Sequence, residues 1–176
     1  QTHNKNVKIY LCCLHLPTLK NEEKDPPEKN LSQSQKIISE YLCLNPDEQI
    51  TPDKLGSALR THTLKMILLQ AERIEEYWRG ICSTAFILAG DFNFYHKHDL
   101  PEKQILLKNG FKCIKDTGTT RPLTTNNKDR LVDNIWIKGC EGEEFRIGGK
   151  SIEKSDHEES LKNISDHYPV IAKIKI

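Results

Sequence analysis

The 176-residue chain lacks several features that mark specialised classes of protein. No apolar run approaches the roughly 20 residues that cross a bilayer. Its six cysteines form no CxxC pair, and neither an internal repeat nor a low-complexity tract occurs. These absences argue against a membrane-spanning helix, a zinc knuckle and a thioredoxin-like redox motif. The net charge is only +1, so overall charge does not favour nucleic acid as a partner.

What is present is the composition of a globular domain. Hydrophobic residues make up 36 % and charged residues 29 % of the chain, and the length is that of one ordinary domain. We therefore expect a single domain over residues 1–176. The chain begins with Gln and shows no signal-like segment, which favours an intracellular location. Cys12 and Cys13 lie in an apolar stretch, so we expect both to be small buried hydrophobic residues.

The order of predicted elements indicates a sheet-based α/β or α+β domain. Apolar stretches rich in β-formers predict strands at 7–14, 84–90, 111–114, 130–138, 144–147 and 168–176. Helices are predicted at 31–43, over a long segment that Thr51 caps and Gly80 ends, and in a third segment with Pro101 near its start and Gly110 after its end. The long helix is expected to present one apolar face, formed by Leu59, Thr63, Met66, Ile67, Ala71, Ile74 and Trp78.

Polar side chains follow or precede several of these strands, where layered folds collect their chemistry. They are His15, Asp91 with Asn93, Asp133, and Asp166 with His167. Taken singly, an Asp or Asn after a strand is more often a turn residue, and a lone His more often packs. A carboxylate within an apolar strand needs a partner, and His167 is the candidate for Asp133.

The tripeptide Ser-Asp-His occurs twice, at 155–157 and at 165–167. The second copy leads directly into the apolar strand YPVIAKIKI, which can hold it in place. The first copy is followed by the charged stretch EESLKN, so it is predicted to be an exposed loop. The candidate chemistry therefore belongs to the second copy, and Asp156 and His157 are left out of the predicted site.

The motifs LAGDFN, RLVDNIWI and ISDHYPV, with LHLP upstream, resemble the endonuclease/exonuclease/phosphatase superfamily with the deoxyribonuclease I-like fold. The resemblance covers the chain in the right order, with an enlarged helical insert between His15 and Gly90. It implies part of a four-layered α/β sandwich, in which two β-sheets pack together between outer helices. It also implies hydrolysis of phosphate esters, with nucleic acid as the leading substrate class and Mg²⁺, or alternatively Mn²⁺, as the cofactor.

Carried over by position, the resemblance implies a role for each residue of the set. Asp91 would orient or deprotonate the attacking water, Asn93 would hydrogen-bond the phosphate, and His15 would lie against it. Asp133 would hold His167, which would stabilise the charge developing on phosphorus. The metal site would comprise Asp166, Asp91 and Asn93. Candidate phosphate contacts are Arg121, Lys128 and Arg130, for which a solvated loop is an equal alternative.

The chain departs from the family's pattern at its start. Members carry an Asn and then the principal metal-ligating Glu before the strand that ends at His15, whereas the 14 residues before His15 here include no acidic residue. We therefore expect the C-terminal two-thirds of the family's domain, without its N-terminal strands and completed by a preceding segment or another chain. The chain alone should bind Mg²⁺ weakly. Two hypotheses stay open: a phosphate-ester hydrolase, and a non-catalytic remnant or binding module that retains the motifs.

Overall fold

A computed structural model describes residues 6–17, 33–45, 50–94, 99–114, 133–146 and 170–176, and the structural statements below concern these residues. The elements in chain order are strand β1 (Val7–His15), helices α1 (Gln33–Tyr41) and α2 (Pro52–Trp78), strand β2 (Ser83–Asp91), helix α3 (Pro101–Lys108), and strands β3 (Lys112–Cys113), β4 (Asp133–Lys138), β5 (Glu141–Arg146) and β6 (Val170–Lys175). This mixture of helices and strands in two sheets confirms the predicted α/β class. None of the described helices is long and apolar enough to cross a bilayer.

The larger sheet has the strand order β1-β2-β4-β3. Its strands β1 and β2 run parallel, whereas β4 is antiparallel to both β2 and β3. Two parallel strands need a long crossover connection, and the segment that contains α1 and α2 supplies it. The predicted helical insert is therefore the connection that makes β1 and β2 neighbours. The second sheet is the antiparallel pair β5 and β6.

Helix α2 begins and ends as its local sequence predicts. The side chain of Thr51 accepts a hydrogen bond from the Lys54 backbone N–H at 3.3 Å, and Pro52 occupies the first helical position. Beyond Trp78, the chain turns at Gly80, whose φ of +80° is easily adopted by glycine. The two ends of α2 are thus fixed by residues within and beside the helix.

The predicted apolar face of α2 is wrong in part. Ala71 is buried and Ile67 packs against the core, but Met66 is 49 % exposed. The most buried positions include Leu64 and Leu68, which the prediction left out. Two overlapping stripes of apolar residues run along this helix, and only the position of the neighbouring sheet selects the buried one.

The core lies between the helices and one face of the larger sheet. Phe86 and Leu88 of β2 and Trp136 of β4 pack there, and the Tyr10 ring of β1 stacks on Phe86 with centroids 5.3 Å apart. The buried residues of this cluster are Leu16, Leu64, Leu68, Ala71, Phe86, Leu88, Phe92, Phe94, Leu106, Phe111 and Trp136. Helices α2 and α3 are also joined by a buried ion pair, in which Arg60 Nε lies 2.9 Å from Glu102 Oε1.

Strand β1 is less buried than its apolar sequence predicts, because it lies at the edge of the described sheet. Ile9 is 51 % and Leu11 65 % exposed. Cys12 is half-buried toward the core, but the expectation of a buried Cys13 is wrong, since that side chain is exposed. Successive side chains of a strand point to opposite faces, and the helices cover only one of them. The six cysteines, all within the described residues, form no disulfide.

Candidate functional site

The strand register brings three of the predicted site residues together at one end of the sheet. His15 is the parallel partner of Asp91, and Asp91 is in turn the antiparallel partner of Asp133. Directly paired residues of neighbouring strands project to the same face of a sheet. The last residues of β1 and β2 and the first residue of β4 therefore form one row of imidazole and two carboxylates.

The charges in this row set its chemistry. His15 Nε2 lies 3.9 Å from Asp91 Oδ2, an ion-pair distance when the imidazole is protonated. The His15 side chain is 80 % exposed and that of Asp91 only 17 %. Carboxylates placed directly opposite each other repel, so the pairing of Asp91 with Asp133 favours a cationic group at this end of the sheet. An imidazolium or a bound cation meets that requirement.

Gly90 allows β1 and β2 to approach each other just before the site. Its φ is +138°, and a Cβ built on it would lie 2.0 Å from the Leu14 carbonyl oxygen. A side chain at this position would clash with backbone, which cannot move aside as a flexible side chain can. The glycine of the GDFN motif is therefore required by the spacing of the two strands as well as by its own backbone conformation.

The turn after β2 fixes the Asp91 carboxylate. The backbone N–H of Asn93 donates to Asp91 Oδ1 at 2.7 Å, and Asn93 itself has a φ of +51°, which asparagine tolerates better than most residues. Phe92 and Phe94 are both buried and meet edge to face, with centroids 5.7 Å apart. One carboxylate oxygen of Asp91 is thus held by the turn, and the aromatic rings anchor that turn in the core.

Leu16 contacts the candidate site through its backbone, and the sequence did not predict this. Its backbone N–H donates to the Asp91 carbonyl oxygen at 2.8 Å, and its own carbonyl accepts from Asn93 Nδ2 at 2.5 Å. The side chain is 1 % exposed and belongs to the core. Contacts made by backbone atoms do not depend on a reactive side chain, so the residue type does not reveal them. The only available signal was an apolar residue directly after His15.

The other predicted site residues lie outside the described residues. They are Asp166 and His167 of the second Ser-Asp-His copy and the candidate phosphate contacts Arg121, Lys128 and Arg130. Asp156 and His157 of the first copy, which the prediction excluded from the site, also lie outside the described residues. The partnership of Asp133 with His167 and the choice between the two copies therefore stay predictions. Of the predicted set, the described residues bring His15, Asp91 and Asp133 into one row and place Asn93 in the adjoining turn.

The chemistry of the row fits Mg²⁺ better than a softer metal. Carboxylate oxygens are the ligands that Mg²⁺ takes in proteins, commonly one or two of them together with waters and phosphate oxygens. Asp91 and Asp133 supply two such groups on one face of the sheet. Among the described residues, no group of three or more His, Cys, Asp or Glu side chains is placed to hold a metal. The two carboxylates are of the ligand type that Mg²⁺ takes, but within the described ranges they are not part of a metal-binding group.

Comparisons with known proteins give likenesses of fold only. No known family profile matches the chain, and no curated protein matches it. A conserved protein of unknown function from Enterococcus faecalis V583 is similar over 67 % of this chain and 44 % of its own, with 19 % identity and a TM-score of 0.46. A mannosyl-6-phosphatase from Bacteroides thetaiotaomicron is similar over 61 % of this chain and 43 % of its own, with 20 % identity and a TM-score of 0.37.

An endonuclease/exonuclease/phosphatase family protein, also from Bacteroides thetaiotaomicron, is similar over 69 % of this chain and 45 % of its own. Its identity is 19 % and its TM-score 0.40. The chain thus spans less than half the length of each of these three proteins. At TM-scores below 0.5, the likenesses decide neither family nor activity.

Proposed function

We propose that the chain is part of a divalent-metal-dependent hydrolase of phosphate esters, with the phosphodiesters of nucleic acid as the leading substrate class. The observation that carries the proposal is the row of His15, Asp91 and Asp133 across three neighbouring strands. The GDFN and SDHYPV motifs support it through their resemblance to the endonuclease/exonuclease/phosphatase superfamily. A phosphodiester is an anion that resists attack by water, so its hydrolysis needs an oriented water and positive charge near the phosphate.

Asp91 is suited to orient the water. Its Oδ1 is held by the turn, which leaves the carboxylate in a fixed direction with Oδ2 toward His15. A carboxylate so held can accept a hydrogen bond from water and then take its proton. The largely exposed imidazole of His15, when protonated, can donate a hydrogen bond to a phosphate oxygen. Both groups then act at the same end of the sheet, one on the nucleophile and one on the anion.

The cofactor we propose is Mg²⁺, with Mn²⁺ as the alternative. It would be held by Asp91 together with Asp166 and the Asn93 amide oxygen, and it would supply positive charge to the phosphate oxygens. Asp133 is proposed to orient His167 through a hydrogen bond. A carboxylate in that position keeps an imidazole in the tautomer and charge state that favour an anionic partner.

Hydrolysis of bis-p-nitrophenyl phosphate in the presence of MgCl₂ tests the proposal. Asp91→Asn should lower kcat by about 10²–10⁴, the range expected for loss of a group that moves a proton. Asp156→Asn is the matched control, since the first Ser-Asp-His copy is predicted to be an exposed loop, and it should leave the rate unchanged. Asp166→Asn should lower the rate, which tests the choice between the two copies.

The same assay decides between the hydrolase and a non-catalytic binding module. If the gene encodes residues before Gln1, a version extended by them is assayed beside the 176-residue chain. Activity that requires the extension would support a hydrolase whose principal metal ligand lies upstream. Robust activity of the 176-residue chain would contradict the expectation of weak metal binding. No hydrolysis in either version would contradict the proposed function and favour the binding module.

A further inference from the structure

A closed set of hydrogen bonds joins the ends of β1 and β2 beside the candidate site. Asn93 donates through its backbone N–H to Asp91 Oδ1 at 2.7 Å and through Nδ2 to the Leu16 carbonyl oxygen at 2.5 Å. The Leu16 N–H donates to the Asp91 carbonyl oxygen at 2.8 Å. We call these three bonds among Leu16, Asp91 and Asn93 the strand-end clasp. It ties Leu16, which follows His15, to Asn93 in the turn after Asp91.

The orientation of the Asn93 amide in the clasp follows from chemistry. A backbone carbonyl oxygen can only accept a hydrogen bond, so the NH₂ group of the amide must face Leu16. The flipped amide would place two oxygens at the same short distance, which is repulsive. Leu16 is 1 % exposed, and a buried carbonyl group that loses its partner is destabilising. Loss of the hydrogen bond from Asn93 Nδ2 to the Leu16 carbonyl oxygen should therefore destabilise the folded state.

We infer that Asn93 is a positioning residue, which sets the separation of His15 and Asp91 by closing the strand-end clasp. His15 directly precedes Leu16, so a shift of the Leu16 backbone moves the imidazole relative to the carboxylate 3.9 Å away. This deepens the proposed function and rests on it for the catalytic consequence. It is an alternative to the phosphate contact and to the metal ligation that the resemblance implies for Asn93, and it rests on the donation of Nδ2 to the Leu16 carbonyl oxygen.

Hydrogen exchange at the Leu16 amide tests the clasp without any assay of activity. Asn93→Asp keeps the shape of the side chain and its tolerance of a positive φ, but its carboxylate cannot donate to the Leu16 carbonyl. Asn93→Gly also allows the φ of +51° and removes the side chain without adding charge. In both variants the Leu16 amide should exchange about tenfold faster, the effect of losing one hydrogen bond.

The Tyr10 amide, in the same strand but away from the clasp, is the internal control and should exchange at an unchanged rate. A general loosening of the fold would speed exchange at both amides and would contradict a local clasp. Unchanged exchange at Leu16 in both variants would overturn the inference. These outcomes do not depend on whether the chain hydrolyses phosphate esters.

Kinetics and phosphate binding then distinguish positioning from phosphate contact. If Asn93 only positions the pair, Asn93→Gly should lower kcat about tenfold or more, because a small misplacement of catalytic groups slows the chemical step. KM and the affinity for inorganic phosphate, followed by the NMR shifts of His15, should stay within about twofold of the wild-type values. The MgCl₂ concentration that gives half the maximal rate should also stay within about twofold, whereas a rise in that concentration would show that Asn93 binds the metal and would overturn the inference. A larger loss of phosphate affinity with kcat retained would overturn the inference. Absence of hydrolysis by the wild type would contradict the proposed function, whereas the exchange result would still decide the clasp.

Discussion

The two faces of the larger sheet are built from the same strands but are packed differently. On the helix-covered face, Phe86, Leu88 and Trp136 are at most 3 % exposed. On the other face, Ile9 and Leu11 of β1 are more than half exposed. Strand β1 offers apolar residues to both faces, so residue type does not account for the difference. The burial of an apolar side chain in this protein is decided by the layer that packs against it.

The second face is covered at the side of the sheet away from β1. A Cβ built on Gly142 of β5 would lie 3.2 Å from Ile137 Cδ1 of β4, so β5 packs closely over β4 there. Ile137 is accordingly only 4 % exposed. The smaller sheet thus covers β4, whereas β2 separates β1 from β4 in the larger sheet. The difference in side-chain burial between the two faces is therefore best seen along β1.

The largest predicted effect concerns the ion pair between the helices on the covered face. Arg60→Leu would leave the fully buried carboxylate of Glu102 without its cation and should lower the free energy of unfolding by about 4 kcal/mol. Lys138→Met removes one partner of a half-exposed pair with Glu75 and should lower it by about 1 kcal/mol or less. Urea denaturation measures both.

A second variant separates a buried charge from a general packing defect. The double substitution of Arg60 and Glu102 by Leu removes both charges and should recover most of the lost stability. If Arg60→Leu were no more destabilising than Lys138→Met, the ion pair would be solvated and the covered face would be less closed than described.

The next effect compares one leucine on each face. Leu88→Ala removes a side chain that is 2 % exposed and should lower the free energy of unfolding by about 3 kcal/mol, through lost burial and the cavity left behind. Leu11→Ala, at a side chain 65 % exposed, should change it by less than about 0.5 kcal/mol. Equal losses would show that the outer face of β1 is covered in solution, and the contrast between the faces would then fail.

The smallest effect uses the adjacent thiols of β1. Burial, and secondarily the nearby Cys13, raises the pKa of the Cys12 thiol, so less of its reactive thiolate is present at a given pH. Cys13 is exposed on the other face. At pH 8, iodoacetamide should therefore alkylate Cys13 about tenfold faster than Cys12. Mass spectrometry of Cys12→Ser and Cys13→Ser variants assigns the two rates, and equal rates would contradict the alternation of faces along β1.

The sequence by itself determined the local features of this protein. Thr51, Pro52 and Gly80 placed the ends of α2, because capping and positive-φ turns involve only neighbouring residues. The positions of His15 and Asp91 at the ends of predicted strands were likewise readable, since a strand and the polar residue that ends it are adjacent in the chain. These features needed no knowledge of which elements pack together.

Only the tertiary structure decided how distant segments meet. It placed β4 beside β2 with Asp133 opposite Asp91, buried Leu64 while leaving Met66 exposed, and used the backbone of Leu16 to hold Asn93. Strand order, register and the choice of a buried stripe depend on contacts between residues far apart in sequence. Propensity and periodicity act over a few residues only, so they could name the members of the candidate site but not the hydrogen bonds that join them.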